Sequence, residues 1–195
     1  MRKIKDYYFK KAKSENYSAR SVYKLIEMDN KYNLIKNGFT ILDVGCSPGS
    51  WSQYILKKYK GIKIVGIDIS NKIEIKDKRF SFVHKDLFKI QPQELTEKSG
   101  QFDLVLSDVA PNTTGDKFLD SQISLRMIKK VFELANSILK KGGSVVAKVF
   151  QGEDLDEYIK SDLKNMYEKI FRFKPKSSRK ESKEIYVVAL NKKGG

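Results

Sequence analysis

Residues 41–51 read ILDVGCSPGSW, an apolar strand pattern that runs into a glycine-containing turn and then into the start of a helix. In an open sheet of parallel strands, ligands bind at such a turn, because the carboxyl ends of the strands open into a crevice there. Gly45 and Gly49 permit close approach of a ligand to the backbone, and the free N–H groups of the following helix suit a carboxylate or phosphate. The spacing matches neither the G-x-G-x-x-G of dinucleotide enzymes nor a phosphate loop with Lys-Ser/Thr, which disfavours NAD and ATP sites.

Short β-branched runs alternate with longer segments of helical period around this turn, as is typical of βαβ units. Helices are predicted at 19–32, 51–59, 119–139 and 155–166. The last two strands are joined by a short polar segment with Pro175, too short for a crossover helix, so we expect them to pair antiparallel. The predicted fold is α/β: a Rossmann-like, doubly wound, mostly parallel seven-stranded sheet with one antiparallel edge strand and helices on both faces. Seven strands are predicted, at Thr40–Val44, Lys63–Asp68, Ser81–His84, Phe102–Ser107, Ser144–Val149, Lys169–Phe173 and Ile185–Leu190.

Charge and length narrow the class of protein. The 195 residues carry a net charge of +15, and a chain of this length is expected to form one domain, residues 1–195. We divide it into a basic N-terminal helical segment, 1–36, and a core, 37–195. Residues 1–31 hold nine Lys and Arg against four Asp and Glu, and residues 172–195 hold eight against two. Basic ends favour a polyanionic partner such as a nucleic acid, with a merely lysine-rich surface as the alternative.

Several classes of protein are disfavoured by what the sequence contains. No apolar run approaches the ~20 residues that a bilayer crossing needs, and the N-terminus is charged throughout, so we expect neither a membrane protein nor a secreted one. The expected location is intracellular: the cytoplasm, or a mitochondrion, plastid or nucleolus in a eukaryote. With Cys46 and His84 as the single cysteine and histidine, neither a zinc cluster nor a Ser/His/Asp hydrolase is expected, and we predict no metal site.

Two carboxylates extend the site at the first turn. Asp68 ends the second strand, where folds of this kind hold ribose hydroxyls, and Asp86 follows the third, where it can accept a hydrogen bond from an exocyclic amine. The alternatives are a loop carboxylate for Asp68 and a helix N-cap for Asp86. Together the features fit S-adenosylmethionine, with its methionine carboxylate at the turn formed by Gly45, Cys46, Ser47, Pro48, Gly49, Ser50 and Trp51.

A charged pair is predicted beside this site. Asp108 follows the fourth strand, and Lys148 lies near the end of the otherwise apolar fifth strand. A lysine in such a strand is costly unless it is paired or functional. We expect Lys148 to pair with Asp108, either as a structural ion pair or to orient or deprotonate a hydroxyl nucleophile.

Longer stretches resemble a known family over nearly the whole chain. They are ARSVYKL at 19–25, the turn at 42–54, SDVAPN at 107–112, KVFQG at 148–152, SSR at 177–179 and KEIY at 183–186. In this order they resemble the FtsJ/RrmJ family of ribosomal RNA 2′-O-ribose methyltransferases.

The resemblance implies a catalytic tetrad of Lys24, Asp108, Lys148 and Glu184. A ribose 2′-hydroxyl would attack the methyl group of S-adenosylmethionine, leaving S-adenosylhomocysteine, with Lys148 as the activating group and no metal. It further implies that the cofactor contacts Gly49, Trp51, Asp68, Asp86 and Asp108. The implied partner is RNA, as ribosomal RNA or the large ribosomal subunit, and the expected state is a monomer. Methylation of tRNA or of an mRNA cap, and a non-catalytic RNA-binding module, remain alternatives.

Overall fold

The computed structural model describes residues 2–111, 113–179 and 182–194. Asn112, in the SDVAPN motif, lies outside them. The strands are β1 (Thr40–Val44), β2 (Lys63–Asp68), β3 (Phe80–His84), β4 (Phe102–Ser107), β5 (Leu139–Phe150), β6 (Tyr167–Phe173) and β7 (Glu184–Lys192). The helices are α1 (Arg2–Ser14), α2 (Val22–Tyr32), α3 (Ser50–Lys58), α4 (Pro92–Ser99), α5 (Lys117–Ile138), α6 (Glu153–Tyr158) and α7 (Lys164–Met166), with a π-helical turn at Ile159–Leu163. All seven predicted strands are present.

The strands form one sheet in the order β3-β2-β1-β4-β5-β7-β6. β1 to β5 pair in parallel, whereas β7 is antiparallel to both β5 and β6. The doubly wound fold and the antiparallel pairing of the last two strands are therefore confirmed. β7 lies one strand in from the edge, between β5 and β6, and its direction brings Glu184 opposite Phe150 at the carboxyl end of β5.

Helices cover both faces because the side chains of each strand alternate. In β1, Leu42 belongs to the core beneath α5, with Phe132, while Ile41 belongs to the core beneath α2 and α3, with Leu25. Residues of the inner strands are almost fully buried, as expected for a parallel sheet covered on both sides. Within the described ranges, no helix combines the length and apolar character needed to cross a membrane.

Helix positions differ from the sequence prediction at three points. α4 was not predicted, although Pro92 at its first turn and a capping box between Gln91 and Glu94 are signals for its start. The helix predicted over 155–166 is interrupted by the π-helical turn. α2 begins at Val22 instead of Ala19, because the preceding residues form a turn that leads into the helix.

A buried carboxylate joins α2 to α3. Asp29 is 2% exposed, and its side chain accepts hydrogen bonds from Tyr54 and Tyr59 Oη at 2.6 and 2.5 Å and from the Ile35 backbone N–H at 3.1 Å. Lys58 Nζ lies 3.0 Å from the same carboxylate. These donors satisfy a charge that would otherwise be costly to bury, and they fix α2, which carries Lys24, against α3. The sequence prediction did not single out Asp29.

Candidate active site

The four residues of the predicted tetrad meet at one edge of the sheet. Asp108 directly follows β4, Lys148 lies near the end of β5, and Glu184 begins β7. The three residues come together because β4 and β5 are parallel and end on the same side of the sheet, and antiparallel β7 begins on that side. Lys24 reaches the group from α2, which packs on this side of the sheet.

Asp108 is the centre of this group. Lys148 Nζ lies 3.0 Å from Asp108 Oδ1 and donates to the Asp108 carbonyl oxygen at 2.6 Å. Lys24 Nζ lies 4.0 Å from Asp108 Oδ1 and 3.5 Å from Glu184 Oε2. The Lys148 side chain is 8% exposed and that of Glu184 is 26% exposed, so the cluster opens to solvent on the Glu184 side. The predicted pairing of Lys148 with Asp108 is present.

Tyr186 is a member of this cluster that the sequence analysis missed. Its buried hydroxyl donates to Asp108 Oδ1 at 2.5 Å, and its ring lies 5.7 Å from Lys24 Nζ. Burial and the neighbouring Asp108 charge raise the pKa of Tyr186 well above its usual value, so the hydroxyl remains a donor. Only the pairing of Tyr186 with Lys148 across β5 and β7 brings it to the site, and no local sequence pattern reports that register.

A cavity of about 280 Å³ opens beside Asp108. Its wall brings together the ends of β1, β2 and β4 and the segment after β3. Of the residues predicted to bind the cofactor, those that line it are Gly45, Ser47, Asp68, Asp86 and Asp108. Cys46, Ser50 and Trp51 line a smaller recess that also reaches Asp108. Pro48 and Gly49 belong to the same turn but line neither space.

The two predicted carboxylates also organise the loops around this cavity. Asp68 accepts hydrogen bonds from the Ser47 N–H at 2.9 Å and from the Ser70 N–H at 2.8 Å, tying the loop after β1 to the loop after β2. Asp86 Oδ1 accepts from the Phe88 N–H at 2.9 Å. No helix begins at Asp86, so the N-cap alternative is wrong: the carboxylate caps a turn. Each carboxylate retains lone pairs for a ligand, since two oxygens offer about four acceptor positions.

The backbone of the turn after β1 passes close to its neighbours. Gly45 has φ +73°, and a Cβ there would also lie 3.1 Å from Val109. The Cys46 side chain points at Gly66 of β2, where a Cβ would lie 2.7 Å from Cys46 Sγ. Cys46 thus packs the turn against β2. Its place in the wall of the smaller recess is the feature that supports a contact with a ligand.

Trp51 links this turn to the segment before Lys24. Its indole Nε1 donates to the Ser21 carbonyl at 2.9 Å, and the hydroxyls of Ser21 and Ser50 lie 2.9 Å apart. The Trp51 side chain is 3% exposed. Trp51 therefore helps to hold α2 against the turn, and its contact with the cofactor remains a prediction.

Comparison with known proteins agrees with this arrangement. The model of the FtsJ-like methyltransferase family matches residues 17–192. The chain belongs to the FtsJ-like methyltransferase family. Ribosomal RNA large subunit methyltransferase E of Brachyspira hyodysenteriae is 44% identical, over 98% of this chain and 97% of that protein. The protein of the same name from Bdellovibrio bacteriovorus is 40% identical, over 97% of each. A crystal structure of a Plasmodium falciparum ribosomal RNA methyltransferase matches with TM-score 0.79 and 33% identity, covering 92% of this chain and 100% of that one.

The residues around the cavity can be compared with the chemistry of S-adenosylmethionine, the methyl donor predicted from the sequence. S-adenosylmethionine offers hydrogen-bond donors at its ribose hydroxyls and exocyclic amine, and a positive charge at sulfur. The cavity offers acceptors at Asp68 and Asp86 and a negative charge at Asp108, which is complementary in kind. Within the described ranges, no group of three or more His, Cys, Asp or Glu side chains is arranged to hold a metal ion.

A second cavity of about 450 Å³ lies on the outer side of the tetrad. Its lining residues are Arg20, Lys24, Arg179, Ser182 and Glu184. Among the described residues, three cations and one carboxylate line this space, which suits it to phosphate groups, because a guanidinium group can donate two parallel hydrogen bonds to phosphate oxygens. Arg20 and Arg179 thus extend the positive charge of the tetrad into this cavity.

Asp43 is a buried carboxylate beneath the turn of this FtsJ-like site. Its side chain accepts from Ser52 Oγ at 2.7 Å and is 1% exposed. Burial raises the pKa of Asp43 to about 7, with smaller contributions from the charges of Asp108 and Asp68, while the Ser52 hydrogen bond opposes the shift. The folded protein therefore retains a proton that the unfolded chain releases near its ordinary pKa of 3.8.

We predict that Asp43→Asn changes the pH dependence of stability. Between about pH 4 and 7 the folded state binds more protons than the unfolded state, so the contribution of Asp43 to stability falls as pH rises, by up to about 1.4 kcal/mol per pH unit. The variant loses this slope and gains stability relative to the wild type over that range. Urea unfolding at pH 5 and pH 7.5 measures the change, and an equal difference between the two proteins at both values would contradict it.

Proposed function

We propose that this protein transfers the methyl group of S-adenosylmethionine to a ribose 2′-hydroxyl of RNA, in large-subunit ribosomal RNA. The observation that carries the proposal is the meeting of Lys24, Asp108, Lys148 and Glu184 between the cavity lined by Asp68 and the cavity lined by arginines. The ribosomal substrate is supported by the names of the relatives, ribosomal RNA large subunit methyltransferase E. The protein is proposed to act as a monomer, inside the cell where RNA is present.

S-adenosylmethionine supplies an electrophilic methyl group on a positively charged sulfur. In the proposed step the ribose 2′-oxygen forms the bond to that methyl carbon as the carbon–sulfur bond breaks, and the hydroxyl proton leaves. Lys148 is assigned the activating role: its amine is held by the carboxylate and the carbonyl of Asp108 and donates to the attacking oxygen, where it stabilises the developing negative charge. The hydroxyl proton passes to water, to which the cluster opens beside Glu184.

The other members of the tetrad hold these groups in place. Asp108, fixed by the Tyr186 hydroxyl, keeps a negative charge beside the position of the sulfur. Lys24 and Glu184 pair at 3.5 Å at the solvent side, where they orient the ribose. A fixed arrangement of charges and a positioned nucleophile lower the barrier without reorganisation during the reaction.

Mapping of 2′-O-methylation tests this proposal directly. The purified protein is incubated with S-adenosylmethionine and with total RNA from cells that lack the enzyme, and methylated positions are located by their resistance to alkaline cleavage. We expect a new methylated ribose in large-subunit ribosomal RNA. Methylation confined to tRNA or to mRNA caps would overturn the ribosomal assignment. Failure to bind S-adenosylmethionine in calorimetric titration would favour the non-catalytic RNA-binding module.

A further inference from the structure

A third cavity, of about 240 Å³, lies on the other side of Glu184 from the arginine-lined one. Glu184 and Ser182 belong to the walls of both. The residues that are particular to the third cavity are Thr113, Lys117, Asp120, Ser121, Phe150 and Lys183. The proposed methyl transfer does not use this space.

The two cavities that share Glu184 differ in chemistry. The arginine-lined cavity has a clear excess of positive charge and suits phosphate. Among the described residues of the third cavity, Lys117 and Lys183 are offset by Asp120 and Glu184, and Phe150 contributes an aromatic ring. A balanced set of donors and acceptors around an aromatic ring suits a flat, uncharged group with polar edges, as a nucleobase is.

The walls of the third cavity are held by hydrogen bonds within the protein. The Phe150 N–H donates to Ser124 Oγ at 3.0 Å. Asp120 Oδ1 accepts from the Thr114 N–H at 2.7 Å and from Thr114 Oγ1 at 2.9 Å. Asp116 already accepts hydrogen bonds from the first amides of α5, so the N-terminus of this helix is not proposed as the group that binds a ligand. The cavity is preformed, which lowers the cost of seating a ligand.

Its position relative to the tetrad indicates which base it takes. Phe150 lies two residues beyond Lys148 on β5, and it is directly opposite Glu184 in the pairing of β5 with β7. In a nucleotide, the carbon that carries the 2′-hydroxyl is bonded to the carbon that carries the base. If the 2′-hydroxyl is held at Lys148 and Glu184, the base of the same nucleotide must lie next to these two residues. The third cavity adjoins Glu184.

We propose that the cavity lined by Phe150, Lys117 and Lys183 seats the base of the nucleotide whose ribose is methylated. The inference rests on the proposed function. The phosphates on either side of that nucleotide then face the arginine-lined cavity. Phe150 provides the stacking surface, and the lysines and Asp120 meet the polar edge of the base.

The test combines variants of the enzyme with variants of the RNA. An oligonucleotide centred on the nucleotide that mapping identifies is prepared with its base and as the abasic analogue that retains the 2′-hydroxyl. For the wild type we expect removal of the base to lower kcat/KM by about fivefold or more, since stacking of a base on an aromatic ring contributes about 1–3 kcal/mol. Phe150→Leu should reduce this ratio to about two, whereas Phe150→Trp should keep it.

The ratio separates loss of stacking from general damage. A distortion of Lys148 or Glu184 by the substitution lowers the rate on both RNAs and leaves the ratio unchanged. Phe171→Leu, which removes a partly exposed ring on β6 that stacks on Tyr32, is the matched control and should keep the wild-type ratio. Equal ratios for wild type and Phe150→Leu would overturn the base site while leaving the methyltransferase intact. If mapping finds no methylated ribose, the base site and the proposed function both fail.

Discussion

Lys148→Ala is expected to lower the rate of methyl transfer to RNA by about 10²–10³-fold, the range typical for loss of one donor that stabilises negative charge at a reacting oxygen. The Lys148 side chain is 8% exposed, and its amine is held by both the carboxylate and the carbonyl of Asp108, so water does not readily take the place of this amine. Single-turnover transfer of a radiolabelled methyl group to ribosomal RNA measures the effect.

Two controls give this experiment its meaning. Binding of S-adenosylmethionine to Lys148→Ala should remain within a few-fold of the wild type, because Lys148 does not line the cavity beside Asp68. Lys130→Ala, which removes a lysine paired with Glu133 on the surface of α5, should leave the rate unchanged. If Lys148→Ala transfers methyl groups as fast as the wild type while still binding the cofactor, Lys148 is not the activating group.

The largest effect on stability is expected for Asp29→Ala. The substitution leaves the hydroxyls of Tyr54 and Tyr59 and the Ile35 N–H without their shared acceptor, and loss of one partner from a buried charged network costs about 3–5 kcal/mol. Urea unfolding monitored by tryptophan fluorescence gives the free energy of unfolding. Trp51 reports on this region because α3 carries it.

Two further variants are compared with Asp29→Ala for their loss of stability: Asp29→Asn and Glu133→Ala. Asp29→Asn keeps one acceptor oxygen and should lose less stability than Asp29→Ala. Glu133→Ala removes an exposed carboxylate from a surface pair and should cost less than about 1 kcal/mol. If Asp29→Ala unfolds at the same urea concentration as Glu133→Ala, the hydrogen-bond network around Asp29 contributes little to stability.

Local pattern was sufficient for much of the architecture. Strands such as Thr40–Val44 and Phe102–Ser107 were predicted with the bounds found in the structure, because burial on both faces produces short, continuous apolar runs. α4 was missed although its capping box was visible, since the segment 92–99 buries only Leu95 and has little hydrophobic periodicity. The break in the helix after Tyr158 has no comparable signal in the sequence.

In the candidate active site, too, some residues have a local signal in the sequence and others do not. The glycine turn, Asp68, Asp86 and Asp108 follow strand ends, and a parallel sheet brings all strand ends to one edge, so the sequence predicts their neighbourhood. Lys24 and Glu184 have no such local signal. Their place in the cluster was implied by resemblance alone until the geometry joined them at 3.5 Å.

By itself, the sequence determined the alternation of strands and helices, the turn at 41–51 and the carboxylates that follow it, because burial and turn formation act over a few neighbouring residues. Tertiary structure decided the contacts of Tyr186 with Asp108, the network around Asp29 and the separation of an arginine-lined cavity from one lined by Phe150. These depend on the register of β7 against β5 and on the docking of α2. Both join residues far apart in the chain, and no periodicity in the sequence encodes which side chains will then meet.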